Sequence, residues 1–217
     1  MAAAERISFW DDESGASYLE FTVGMMTFFV VLFGIIEFSY IFYQWNAATK
    51  AVQFGARLAA VSNPVDSSLS TLTGLEGGAL PGAAMTTFDR TCSGATASCT
   101  GGTYNADYMG AIVYGRLDYG FGTARTTCSA AAVSNPLQNG MCNYFSSIAP
   151  QNVVIRYQYT GLGYAGRPGG PVPTITVSVT GISYSFIFLN GLMGFGNAPV
   201  PALATTVTGE DLNAAGS

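Results

Sequence analysis

The chain has 217 residues, of which 49% are hydrophobic and 10% charged, with a net charge of −5, eight Lys or Arg and no His. Soluble domains carry about 25% charged residues, so the deficit implies membrane contact or burial in an assembly. The absence of His removes Ser-His-Asp and Cys-His catalysis, the common zinc sites and His-based pH switching, and the few scattered cations offer no nucleic-acid surface.

In chain order, the first residues are acidic, with Glu5, Asp11, Asp12 and Glu13 against Arg6. A long apolar run follows. Glu37 is its only charge between Phe21 and Thr49, and Phe21 to Ile36 has none. As a helix, Phe21 to Tyr43 reaches about 34 Å, enough to cross a hydrocarbon core of about 30 Å. Tyr40, Tyr43 and Trp45 stand where an interfacial aromatic belt would fall. A cleaved secretory signal would start basic and end on an A-x-A-like site. Neither is present here, so the run reads as a single transmembrane helix. The Ala-rich stretch Asn46 to Ser62 lacks Pro, so the helix continues to about residue 62, where Asn63-Pro64 stops it. The expected helix has about 45 residues, against about 11–12 for an ordinary globular one. Two readings fit its small residues, among them Gly34, Gly55 and Ala56. They permit close helix–helix approach, or they serve a plain stalk through helix propensity.

Two carboxylates lie in or at the edge of the span. Glu20 stands near its start, where the helix macrodipole favours an acid. Glu37 lies deeper or at the far interface, where a carboxylate costs up to about 2.5–3.5 kcal/mol. Their spacing falls about 100° short of five turns, which puts them on neighbouring flanks of the helix. That side either meets protein, or Glu37 snorkels toward the headgroups.

Beyond Pro64 the composition shifts to Gly, Ser, Thr and Ala, and residues 63–102 read as irregular loop. Asp107 to Phe121 has the spacing of an amphipathic helix with Gly120 near its end. Asn152 to Gly161 and Thr174 to Phe188 alternate like strands, with a phase shift at Gly181, and Ala202 to Thr208 reads as a third strand. Phe186 to Gly196, "FIFLNGLMGFG", is apolar and Gly-rich, and reads as a buried turn first, or as a loop that touches membrane or a partner.

The four cysteines, Cys92, Cys99, Cys128 and Cys142, allow three pairings, of which the sequence-local one is the simplest, or they remain reduced. Disulfides would put the C-terminal part outside the cytoplasm. That orientation is not decided by the positive-inside count, where Arg6 stands against Lys50 and Arg57. The expected architecture is α+β: a long N-terminal transmembrane helix continuing into a small disulfide-stapled head with an antiparallel sheet. The acids of the head are scattered without metal-ligand spacing, and its Gly-x-Gly fragments read as turns. No metal, cofactor or enzymatic activity is expected.

"GASYLEF", Gly15 to Phe21, resembles the processing site of type IV-like prepilins: Gly, four residues, Glu, Phe. With "GIIEF", Gly34 to Phe38, and "GAR", Gly55 to Arg57, it resembles the TadE-like pseudopilins of the tight-adherence pilus system. The resemblance covers about Ser14 to Ala60. It implies a leader over residues 1–15, cut by a prepilin peptidase between Gly15 and Ala16, an assembly helix over 16–62 and an extracytoplasmic head over 63–217. It also implies that Glu20 pairs with the new amino terminus of a neighbouring subunit, with Glu37 on the assembly side too. The implied partners are the inner membrane, the peptidase, other pilin-like subunits and the pilus assembly platform, with no nucleic acid. Two features depart from the pattern. The leader is acidic beside the cut where many are basic, and Ala16 stands where many pilins have Phe, which leaves amino-terminal methylation open. The competing expectation is a single-pass membrane protein whose outer head binds a ligand or a surface outside any pilus.

Overall fold

A computed structural model describes residues 14–117, 123–129, 138–184, 186–194, 196–209 and 212. Residues 1–13 of the expected leader, with all of its acids, and Glu210 and Asp211 lie outside the described residues. The chain forms two compact units, Met1–Phe42 with Ser185–Asn197, and Tyr43–Tyr184 with Ala198–Ser217.

Helix α1 (Ser14–Val61) is continuous, as its unbroken run of helix-compatible residues requires, and ends just before Asn63-Pro64. It is long and apolar enough to cross a membrane. Residues 15–29 are exposed all round, with Tyr18 78% and Met26 69% accessible. Such a surface suits lipid rather than water. In the first unit the same helix meets α3 (Phe188–Met193). The sequence pattern makes residues 186–196 a buried turn, but the structure gives a short helix with Ile187 55% exposed. The strand expected to run on to Phe188 also stops earlier. Gly181 adopts a φ of 71° and breaks the alternation.

The second unit begins inside α1, at Tyr43. Its core helix stripe is Gln44, Ala48, Ala51, Val52, Ala56 and Ala59, all buried at spacings of three and four residues. The main sheet is built from β1 (Asp89–Ser93), β2 (Ser98–Cys99), β3 (Val153–Gln158), β4 (Thr174–Val179) and β7 (Leu203–Thr208). The strands lie in the order β2-β1-β3-β4-β7, and every pairing is antiparallel. Register places Cys92 opposite Ile155, Ile155 opposite Val177, and Tyr157 opposite Ile175. These side chains are all buried, and with Val153 and Val179 they make one face of the sheet apolar. The other face carries polar pairs. Thr176 and Thr206 share a 2.9 Å hydroxyl bond, and Arg156 Nε donates to Asp89 Oδ1 at 2.8 Å. A two-stranded ribbon, β5 (Ser183–Tyr184) with β6 (Ala198–Pro199), stands apart from the main sheet.

Strand β1 lies in the stretch expected as irregular loop. In "DRTCS" only Cys92 is fully buried, so no alternation marks the strand, and its pairing with β3 supplies what the pattern lacks. Helix α2 (Ala106–Tyr114) starts where Asn105 Oδ1 accepts from the Tyr108 N–H at 3.2 Å. It ends six residues short of Gly120, because Gly115 takes a φ of 85° and closes the helix with its N–H on the Ala111 carbonyl at 3.1 Å. A side chain at residue 115 would also run into the Gln138 carbonyl.

Both disulfides are sequence-local. Cys92 and Cys99 face each other across β1 and β2, and Cys128 joins Cys142 in a one-turn 3-10 helix, Met141–Asn143. Asp66 is fully buried and caps the 3-10 turn Ser67–Thr71. Its Oδ1 accepts from the Ser68 N–H at 3.0 Å, the Ser68 hydroxyl at 2.6 Å and the Thr103 N–H at 2.9 Å. Arg90 Nε lies 4.0 Å from the other carboxylate oxygen. Beside it the Tyr157 hydroxyl accepts from the Val65 N–H at 3.0 Å. This buried polar group ties the chain just after α1 to the centre of the sheet.

Candidate functional site

The residues singled out on α1 fall into two groups: those left open and those taken up by the chain itself. Gly15 and Ala16 occupy the exposed first turn of the helix, and a side chain at residue 15 would meet nothing within 4 Å. The backbone between them is therefore unobstructed by the described residues. Glu20 is exposed one turn further on, and among the described residues no hydrogen bond or ion pair reaches its carboxylate. Gly34 also has open space around its Cα.

Glu37 is treated oppositely. It is 1% exposed. Its Oε1 accepts the Ile187 N–H at 2.6 Å and its Oε2 accepts the Phe188 N–H at 2.7 Å. A carboxylate bridging two adjacent backbone donors is the charge-assisted arrangement that lets an acid leave water. Both of its oxygens thus accept backbone donors of the same chain. The contact continues through stacked rings. Phe33 lies on Phe188 with centroids 4.9 Å apart and planes 14° apart, and Phe29 stacks on Phe33 at 5.9 Å.

Gly55 and Ala56 are also filled from within. A Cβ at residue 55 would sit 2.5 Å from the Met141 sulfur, and Ala56 is fully buried. Phe54 packs on Tyr144 with centroids 4.8 Å apart. The small residues at this end of α1 let the helix approach the 3-10 turn that Cys142 anchors. Close approach is what small residues permit, but here the approaching surface is the same chain.

Such an arrangement leaves a bare apolar helix whose one exposed acid stands near its N-terminal end. The family model for TadE-like protein matches residues 15–57. Over this stretch the chain is similar to TadE-like proteins. Its match opens on Gly15 and closes on Arg57, so the residues that carry the resemblance, Gly15, Glu20, Glu37 and Gly55, all fall within it. No curated protein and no solved structure matches the chain. The TadE-like segment therefore carries the whole of the likeness, and the head is read from its own residues.

The sequence pointed to Glu37, but not to what meets it. Ile187 and Phe188 lie 150 and 151 residues further along, and the only hint of their role was an uncharged apolar run.

Proposed function

We propose that the protein is a pilin-like minor subunit of a tight-adherence pilus, made with a leader that a prepilin peptidase removes after Gly15. Helix α1 holds it in the inner membrane with the head on the periplasmic side, and its role there is structural rather than catalytic. The observation that carries this reading is the TadE-like match beginning at Gly15, five residues before an exposed Glu20 that has no partner among the described residues, on a bare apolar helix. Cleavage after Gly15 creates an ammonium on Ala16 at the membrane edge. A carboxylate that enters lipid without a partner is costly. Pairing Glu20 with the neighbouring subunit's terminus removes that cost and sets the register between helices. Glu37 is already satisfied within the chain, so Glu20 is the carboxylate left for a neighbour. The two disulfides support an oxidising compartment for the head.

Intact-mass analysis of protein extracted from its native membranes tests the reading. The expected mass lacks residues 1–15. A full-length chain in cells with a working prepilin peptidase would instead favour a single-pass protein with a ligand- or surface-binding head.

A further inference from the structure

Helix α3 is held at a definite depth along α1. If α1 enters the hydrocarbon at Phe21, the first residue of its charge-free run, a rise of about 1.5 Å per residue puts Phe33 about 18 Å and Glu37 about 24 Å into a core about 30 Å thick. Placing Tyr40 at the far boundary instead, as an interfacial aromatic, gives nearly the same result: Glu37 about 4 Å and Phe33 about 10 Å inside. On either count the Glu37 carboxylate and the Phe33–Phe188 stack lie inside the apolar layer.

The segment suits that depth. No charged residue occurs from Gly181 to Thr208, and Ile187 presents 55% and Phe188 37% of its surface. Backbone in lipid must have its polar groups satisfied by protein. The Ile187 and Phe188 N–H groups precede any carbonyl of α3 that could take them, and Glu37 accepts both. At the other end of the turn the Gly194 N–H donates to the Asn190 carbonyl at 3.1 Å. Glu37 thus provides what a short helix in hydrocarbon lacks, and the helix provides what a buried carboxylate lacks.

We propose that residues 186–194 form a second membrane-embedded element, which dips into the leaflet nearest Tyr43 and is clamped to α1 by Glu37. Acyl chains cover Ile187 and the free side of Phe188. This rests on α1 crossing a membrane and not on pilus assembly, so it stands or falls separately from cleavage after Gly15.

The test uses the full chain in vesicles of phosphatidylcholine and phosphatidylglycerol. Ile187→Trp is introduced with Trp10→Phe and Trp45→Phe, so that the new indole is the sole reporter. Blue-shifted emission, several-fold stronger quenching by acyl-brominated lipid than in unbrominated vesicles, and little quenching by acrylamide are expected. Adding Glu37→Ala should shift the emission to the red and remove most of the brominated-lipid quenching, with both disulfides retained. Glu37→Gln, which keeps one acceptor oxygen, should fall between the two. An indole open to acrylamide overturns the proposal. So does one shielded from both quenchers, which would mean that a second protein surface, such as another copy, covers the segment. Brominated-lipid quenching that survives Glu37→Ala overturns the clamp.

Discussion

The contact between Gly55 and Met141 separates two accounts of why α1 carries small residues. If Gly55 faces a neighbouring subunit, replacing it should leave the isolated protein's stability nearly unchanged. In the structure a Cβ at residue 55 would sit 2.5 Å from Met141 Sδ and 2.7 Å from its Cγ, well inside van der Waals contact. Gly55→Ala then overpacks a buried site at about 1–3 kcal/mol, against which the gain in helix propensity is about 1 kcal/mol. A net loss of up to about 2 kcal/mol follows. Met141 is fully buried, so Met141→Ala leaves a cavity and costs about 2–5 kcal/mol. At about 2–4 °C per kcal/mol, that lowers the melting temperature by about 4–20 °C. Together the two changes should cost less than their sum, because the new methyl enters space the methionine has vacated. The coupling should be about 0.5–3 kcal/mol. Denaturant unfolding of the full chain in micelles, for the two single variants and the double variant, measures it. Additivity within about 0.5 kcal/mol would show that the two residues do not touch, and would return Gly55 to the inter-subunit reading.

Four further outcomes are expected. Glu20→Ala should insert at least as well as the native chain, since it removes a charge from the membrane edge, while pilus yield in native cells drops; undiminished piliation counts against the pairing role. Tyr157→Phe strands the buried Val65 N–H and should cost about 1–3 kcal/mol by chemical denaturation. Burial pushes the Tyr157 phenol above the usual tyrosine range, and the nearby Asp66 carboxylate acts in the same direction. A folded-state value above the unfolded one means that the stability this group contributes is present below about pH 10 and lost as pH rises beyond it. The native head should therefore lose stability in that alkaline range more steeply than Tyr157→Phe does, as read by melting temperature against pH. Opening the Cys128–Cys142 bridge, which closes the longer loop, should cost about 3 kcal/mol, and opening Cys92–Cys99 about 2.5 kcal/mol, in denaturant midpoints of the Cys→Ser pairs.

Much of this was readable from residue order because it depends on local chemistry. A long run free of Pro and nearly free of charge folds as one helix in spite of its glycines, and Asn63-Pro64 ends it. Alternation over Val153–Gln158, Thr174–Val179 and Leu203–Thr208 was visible because each strand buries or half-buries every second side chain. Strand β1 was not visible, because an edgeward strand with one fully buried residue has no alternation to read. The end of α2 is hidden from residue order for a related reason. Gly115 and Gly120 both look like terminators, and the close approach of the Gln138 backbone decides for Gly115.

Residue order alone marks a membrane-competent helix, a Gly-x-x-x-x-Glu element at its start and a strand-rich head with an even set of cysteines. Those properties follow from hydrophobicity, periodicity and composition, which act over a few turns or strands. Which acid the chain satisfies itself depends on contacts that form on folding. Glu37 finds two backbone donors some 150 residues away while Glu20 finds none among the described residues. The cost of a carboxylate outside water is set by the groups that meet it, and for Glu37 those groups come from a part of the chain that only folding brings to α1.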